Sequence, residues 1–270
     1  MPWLARWKGE TFVIKFGGAA IDNPARLHLL IDNVRSLLKA QIRCVIVHGG
    51  GIEIDRWLDK LGMTKKVVNG LRVTDENTME VVEMVLSGKF NKKLASAFNL
   101  SGIAAVGLSG RDGKLLIAKT ISDELGLVGE VTQVFPQIIE TLLNAGFLPV
   151  VATVGEDEFG KPLNVNADLA ASAIAVALKA SKLLLMTDAN GVLVHRKVPD
   201  QNYPRLSIKK ARDLITSGDA DRGMIPKLEA CIEAVVGGVD ACHILNASTE
   251  NGLIRALDGE VGVGTVITET

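Results

Sequence analysis

FVIKFGG, residues 12–18, sets an apolar run of strand length directly against a pair of glycines. A second stretch repeats the arrangement: RCVIV at 43–47 leads through His48 into Gly49-Gly50-Gly51. Runs this continuously apolar belong to strands buried on both faces, as in a parallel sheet. Between the two lies a helical pattern, with Leu27, Leu30, Ile31, Val34 and Leu38 on one face. Strand, helix, strand is the repeating unit of an α/β fold.

The pattern continues outward from there. A second helix follows the three glycines. Asn69-Gly70, between two short extended stretches, predicts a hairpin. Thr74 is placed to cap a long helix with Asp75 and Glu76 in its first turn and Met79, Val82, Leu86 and Phe90 along its apolar stripe. Further strands are predicted at 104–108, 114–118, 127–131, 148–152, 182–187, 241–245 and 264–268. Helices are predicted at 135–144, at 167–179 with Asn166 as cap, near 207–217 and at 225–236. GEDEFGKP at 155–162 reads as an exposed turn or hairpin, and QNYP at 201–204 as a loop. The expected fold is a largely parallel sheet covered on both faces, with a few hairpins. Ligands of such sheets sit at the carboxyl ends of the strands.

Composition narrows the function classes. The 270 residues are 47% hydrophobic and 23% charged, a balance that can bury a core without disulfide or metal staples. A net charge of −1 supplies no basic field for nucleic acid or an anionic membrane. Cys44, Cys231 and Cys242 form no CxxC pair and no zinc-spaced cluster, so they read as core thiols in a reducing compartment. The opening MPWLARWKGETF lacks the apolar run of a signal peptide, and the apolar helix near 169–178 is too short to span a bilayer. The expectation is a cytoplasmic protein with neither a nucleic-acid nor a membrane partner.

Glycines at strand ends let backbone N–H groups approach a phosphate, and a following helix N-terminus adds partial positive charge. Either loop alone is equally a tight turn; two at adjacent strand ends favour a phosphorylated ligand. Lys15 strengthens this, since a lysine inside an apolar strand is costly unless it reaches an anion or snorkels at the strand end. GLSGRDGK at 107–114 is one residue too long for a Walker A loop. GxGxxG after a strand, GxSxG and HExxH are all absent. Taken singly, Lys227 is an ordinary helix lysine, Asp168 an ordinary first-turn acid and Asn164 an ordinary turn residue. Arg72 is either solvated or a bidentate clamp for a carboxylate.

Together these residues resemble the amino-acid kinase family, and most of all its members that act on N-acetyl-L-glutamate. The resemblance rests on VIKFGG at 13–18, VHGGG at 47–51, NGLRVTD at 69–75, LNVNAD at 163–168, LMTDANGVL at 185–193, GMIPK at 223–227 and GVGT at 262–265. It implies a three-layer αβα sandwich with a mostly parallel central sheet of about eight strands. Residues 1–180 would form an N-terminal lobe for acetylglutamate binding and dimerisation, and 181–270 a C-terminal lobe for ATP. Lys15 and Lys227 match the lysines that stabilise the transferring phosphoryl group, and Asp168 the acid that orients them. Gly18 and Gly49, Gly50 and Gly51 would donate N–H groups to phosphoryl and substrate, with Gly17 in the same phosphate loop. Arg72 and Asn164 match the groups holding the substrate's α-carboxylate end. Thr187, Asp188, Gly191, Gly223 and Met224 fall where the family binds nucleotide.

The resemblance also implies Mg2+ bridging the ATP phosphates with few protein ligands, and no dedicated metal site. It leaves a homodimer and a hexamer both open, with arginine as a candidate feedback inhibitor. Trp3, Leu4 and Trp7 are either one short apolar face or part of a loosely packed terminus. His48 reads as structural, because a carboxylate nucleophile is already ionised at neutral pH. Rival readings are a sibling kinase acting on an N-acylated aminoadipate and a non-catalytic sensor. Retention of both lysines speaks against the sensor.

Overall fold

A computed structural model describes residues 2–17, 23–68, 70–193, 202–221 and 223–270. In chain order the strands are β1 Thr11–Phe16, β2 Arg43–His48, β3 Val67–Val68, β4 Leu71–Arg72, β5 Ala105–Ser109, β6 Leu116–Thr120, β7 Val128–Val134, β8 Leu148–Ala152, β9 Val154–Glu156, β10 Pro162–Val165, β11 Lys182–Thr187, β12 Arg205–Ser207, β13 Ala241–Asn246 and β14 Thr265–Thr268. Eight of them form one sheet in the order β12–β14–β13–β11–β1–β2–β8–β5. Within it only β13 and β14 pair antiparallel.

The period-two geometry of a strand explains the three layers. On β1, Phe12, Ile14 and Phe16 pack on one face with side chains from the helices Pro24–Lys39, Asn91–Leu100 and Gly252–Leu257. Val13 packs on the other face with the helices Ala167–Ala177, Ile208–Thr216 and Ile225–Val236. Lys15 follows Val13 by two residues and therefore belongs to this second face. Burial of both faces is what makes the middle of β1, β2 and β11 apolar, with Lys15 the exception.

The remaining strands form two smaller units. β10, β7, β6 and β9 close into a small barrel, and β3 and β4 form a hairpin. That hairpin is the one read from Asn69-Gly70; Asn69 lies outside the described residues, and Gly70 has φ +83°, which favours glycine. Residues 155–162 contribute the antiparallel arms of β9 and β10, as the hairpin reading required. Residues 202–204 lie between strands, and Gln201 lies outside the described residues.

Several local expectations shift. The cap of the helix Glu76–Glu83 is Asp75, whose side chain accepts from the Thr78 N–H; Thr74 is instead buried in a bridge to Gly126. The strand read at 114–118 begins at Leu116, because residues 112–114 form a 3-10 turn. The helix beyond Glu83 continues as a π segment, Met84–Phe90, before Asn91–Leu100. β12 and the helix Gly252–Leu257 carried too short a pattern to be read. The N-terminal segment is packed: a 3-10 helix Pro2–Trp7 buries Leu4, sets Trp7 edge-on to Phe12 at 5.9 Å, and ties Arg6 Nη2 to the Leu257 carbonyl at 2.8 Å. Among the described residues no helix is long and apolar enough to cross a membrane.

Asn91 joins the helical layer to the sheet. Its buried amide nitrogen donates to the carbonyls of Leu108 at 3.0 Å and Val150 at 2.8 Å and faces His48 Nε2 at 3.0 Å. Asn91→Leu keeps the branched shape and removes these donations. It should destabilise the fold by about 3 kcal/mol, read as a lowered urea midpoint at unchanged m-value.

Candidate active site

Parallel strands in register deliver their C-terminal ends to one edge. Phe16 lies beside His48 and Met186, His48 beside Ala152, and Thr187 beside Asn246. Gly17, the loop at Gly49–Gly51 and the turn at Asp188 all lie at this edge. Gly18 lies outside the described residues.

Three charged side chains from distant parts of the chain meet under that edge. Lys15 Nζ lies 2.7 Å from Asp168 Oδ1, and Lys227 Nζ donates to Asp168 Oδ2 at 2.8 Å. Each partner is delivered by local structure. Strand alternation turns Lys15 toward the helix Ala167–Ala177. Asn166 caps that helix by accepting from the N–H groups of Asp168 at 2.9 Å and Leu169 at 3.2 Å, which fixes Asp168 in the first turn. The helix Ile225–Val236 starts with a proline in its first turn, and Asp221 accepts from the Met224 N–H at 2.7 Å just before it. Lys227 therefore projects from a first turn as well.

The electrostatics follow from burial. Asp168 is 5% exposed and Lys15 8%. Burial lowers the proton affinity of Lys15 and outweighs the attraction of Asp168; the nearby Lys227 charge acts in the same direction. Burial works against the Asp168 charge too, but Lys15 and then Lys227 overcome it and hold its carboxyl below the usual range. Two cations on one anion leave a local excess of positive charge facing the strand ends.

A cavity of about 230 Å³ lies beside this cluster, lined by Gly49, Gly50, Gly51, Arg72, Asn164 and Asn166 among others. Gly50 packs closely: a Cβ there would stand 2.6 Å from Leu86 Cδ2, so the leucine side chain would have to move. Leu86 belongs to the π segment and also lines the cavity. Arg72 donates to the Gly51 carbonyl at 3.1 Å and pairs with Asp55. Asn164 Nδ2 donates to Thr74 Oγ1 at 3.1 Å, and Thr74 Oγ1 donates to the Arg72 carbonyl at 2.9 Å. Arg72 and Asn164 are thus coupled through Thr74.

His48 is buried, and burial drives its pKa down to about 4. Its Nε2 faces the amino group of Asn91, which accepts no proton and whose two N–H groups go to the Leu108 and Val150 carbonyls, so the ring proton is assigned to Nδ1. From there it points to the Gly49 carbonyl at 3.2 Å. The ring is a neutral strut for the glycine loop, as the structural reading required.

On the other side of the cluster, Asp188 pairs with Arg26, and its carbonyl accepts from Asn246 Nδ2 at 3.2 Å. Asn246 Nδ2 also donates to Asn190 Oδ1 at 2.6 Å. Thr187 ends β11, where it is half-buried. Gly191 has φ +109°, and a Cβ there would lie 2.5 Å from Thr265 Oγ1. Gly223 and Met224 form the turn before the Lys227 helix; the Met224 side chain is buried in the core, which leaves its backbone for contact. Sequence reading missed Asn246, Asn190, Arg26, Thr74 and Asp55. The position of Asn246 at a strand end was a usable signal. Asn190 and Thr74 lie inside the LMTDANGVL and NGLRVTD stretches, whereas Arg26 and Asp55 carry no signal because their partners lie far away in the chain.

Comparison with known proteins bears on the family and the fold. Residues 10–246 match the model of the amino acid kinase family. The chain is 42% identical over 268 residues to an acetylglutamate kinase of Synechocystis sp., covering 99% of this chain and 90% of that one. It is 43% identical over 268 residues to an acetylglutamate kinase of Synechococcus elongatus, covering 99% and 89%. Among solved structures, N-acetylglutamate synthase from Neisseria gonorrhoeae, complexed with coenzyme A and N-acetyl-glutamate, superposes with TM-score 0.85 at 26% identity. That match covers all of this chain and 62% of the synthase chain. Carbamate kinase from Giardia lamblia bound to AMP-PNP shares the fold, with TM-score 0.70 at 17% identity over 96% of this chain and 98% of that one. The chain belongs to the amino acid kinase family, on the branch of its acetylglutamate kinases.

Proposed function

We propose that this chain transfers the γ-phosphoryl group of ATP to the side-chain carboxylate of N-acetyl-L-glutamate, giving N-acetyl-L-glutamyl 5-phosphate and ADP in arginine synthesis. The observation that carries the mechanism is the buried Lys15–Asp168–Lys227 cluster beside a cavity bearing Arg72 and Asn164. A substrate carboxylate oxygen attacks the γ-phosphorus; the new O–P bond forms as the bond to the β–γ bridging oxygen breaks, and ADP leaves with that electron pair. Anion meets anion, so positioning and charge neutralisation are the main tasks. Lys15 and Lys227 neutralise the phosphoryl group in flight, and Asp168 holds both ammonium groups in place. Backbone N–H groups of Gly17 and of Gly49 to Gly51 would serve as donors along its path, the role the family resemblance also gives Gly18. Arg72 and Asn164 hold the α-carboxylate end of the acceptor. No general base is required, which agrees with a neutral, internally bonded His48.

The nucleotide would lie over Thr187, Asp188, Gly191, Gly223 and Met224, at the ends of β11 and of the Lys227 helix. Residues 1–180 would then serve acetylglutamate and dimerisation, and 181–270 ATP. The described residues contain no group of three carboxylate, imidazole or thiol side chains that could hold a metal ion. Mg2+ would arrive with ATP and supply charge neutralisation to its phosphates. A homodimer or a hexamer, and arginine as feedback ligand, complete the proposal. Support for arginine comes from a second Neisseria gonorrhoeae synthase structure, complexed with coenzyme A and L-arginine, at TM-score 0.82 and 25% identity. A cytoplasmic location suits three buried free thiols and the use of ATP.

Incubation with ATP, N-acetylglutamate and hydroxylamine should yield the acyl hydroxamate. Hydroxamate from an aminoadipate derivative but not from acetylglutamate would sink the substrate assignment. Lys15→Ala and Lys227→Ala should each lower kcat on the order of 10²-fold with smaller changes in KM; near-normal kcat in either variant removes that lysine from the role. Arg72→Lys should mainly raise KM for acetylglutamate. Because burial lowers the Lys15 pKa, its ammonium is lost at lower pH than an ordinary lysine's. The alkaline limb of kcat/KM, which reports the free enzyme, should therefore fall below the usual lysine range. A profile flat through that range would contradict it.

A further inference from the structure

We infer that Asp55 is a positioning residue that holds Arg72, and with it the β3–β4 hairpin, in the geometry that receives the substrate carboxylate. The inference rests on the reading of Arg72 as an acetylglutamate ligand. Asp55 lies one turn beyond Gly51 on the helix Gly51–Lys60, facing the hairpin. One carboxylate oxygen pairs with Arg72 Nη2. The other accepts from Lys65 Nζ at 2.6 Å. Lys65 precedes the first arm of the hairpin and Arg72 ends the second, so a single carboxylate pins both bases of the hairpin to the helix. Gly70, Leu71 and Arg72 of that hairpin line the cavity.

The division of the guanidinium carries the argument. Nη2 is engaged twice, by Asp55 and by the Gly51 carbonyl at 3.1 Å. Nη1 is buried and has no hydrogen-bond partner among the described residues. A buried guanidinium N–H without a partner is costly and calls for an acceptor. Closed off as it is, Nη1 meets a carboxylate from the cavity only after a local shift of the hairpin. Asp55 thus fixes the rotation of the fork before a ligand arrives, which lowers the ordering cost at binding. Simple electrostatics makes the opposite prediction: an acid beside a site for an anionic substrate should repel it, and removing that charge should tighten binding. The two ideas differ in the sign of the effect.

The test is steady-state kinetics of Asp55→Asn, Asp55→Glu and Arg72→Ala with the hydroxamate assay. Positioning predicts that Asp55→Asn raises KM for acetylglutamate about tenfold, the scale of one weakened charge-assisted hydrogen bond. The KM for ATP should stay within about twofold, which also reports intact folding. Asp55→Glu should recover part of the loss, and Asp55→Asn should add almost nothing in the Arg72→Ala background. If Asp55→Asn leaves the acetylglutamate KM unchanged or lowers it while Arg72→Ala raises it, the inference about Asp55 fails and the role of Arg72 stands. If Arg72→Ala leaves that KM unchanged, both fail.

Discussion

One buried carboxylate between two lysines is the constraint on which the rest of this structure depends. Asp168 alone would be expensive where it lies, and Lys15 alone equally so. Together with Lys227 they form a cluster with one cation in excess. Such a cluster is a demanding neighbour: it needs a strand, two helix N-termini and a dry apolar surround to hold it. β1 supplies the strand, the helices Ala167–Ala177 and Ile225–Val236 supply the first turns, and the packed face of the sheet supplies the surround. The excess charge is useful only where an anion arrives, which is the strand edge that the glycine loops leave open.

Close approach governs the other half of the site. Gly50 cannot carry a side chain without striking Leu86, and Leu86 is where it is because the long helix loosens into a π segment. Segments of this kind often mark functional sites, since they re-aim side chains without ending a helix. Here the segment fills the floor of the cavity, and Asn91 directly after it ties the helix to β5, β8 and His48. The neutral imidazole then fixes the Gly49 carbonyl. Loop, helix and sheet are one mechanical unit built from uncharged hydrogen bonds, whereas the phosphoryl side is built from ion pairs. That separation fits a site that must hold backbone N–H groups still while charge is redistributed beside them.

The acceptor side shows how a surface arginine becomes a specific one. Nothing about Arg72 in the chain separates it from a solvated side chain. The Gly51 carbonyl and Asp55 take up one nitrogen, and Thr74 links its backbone to Asn164. The guanidinium is therefore oriented before a ligand arrives.

The sequence by itself determined the layered α/β fold, because apolar strands buried on both faces and one-faced helices are written residue by residue. It also marked Lys15, since a lysine in such a strand is a local contradiction that an anion or an escape at the strand end must resolve, and the glycine loops, since their position follows from strand ends. It misplaced the cap at Thr74 and passed over β12, because short elements are fixed by what packs on them. Asp168, Lys227, Arg72 and Asn164 were legible only through family resemblance; as single residues each had an ordinary reading. Tertiary structure alone decided that Asp168 bridges two lysines, that His48 is neutral with its proton on Nδ1, and that Asp55 meets Arg72. These depend on distance and burial between residues far apart in the chain, and local patterns of side chains carry neither.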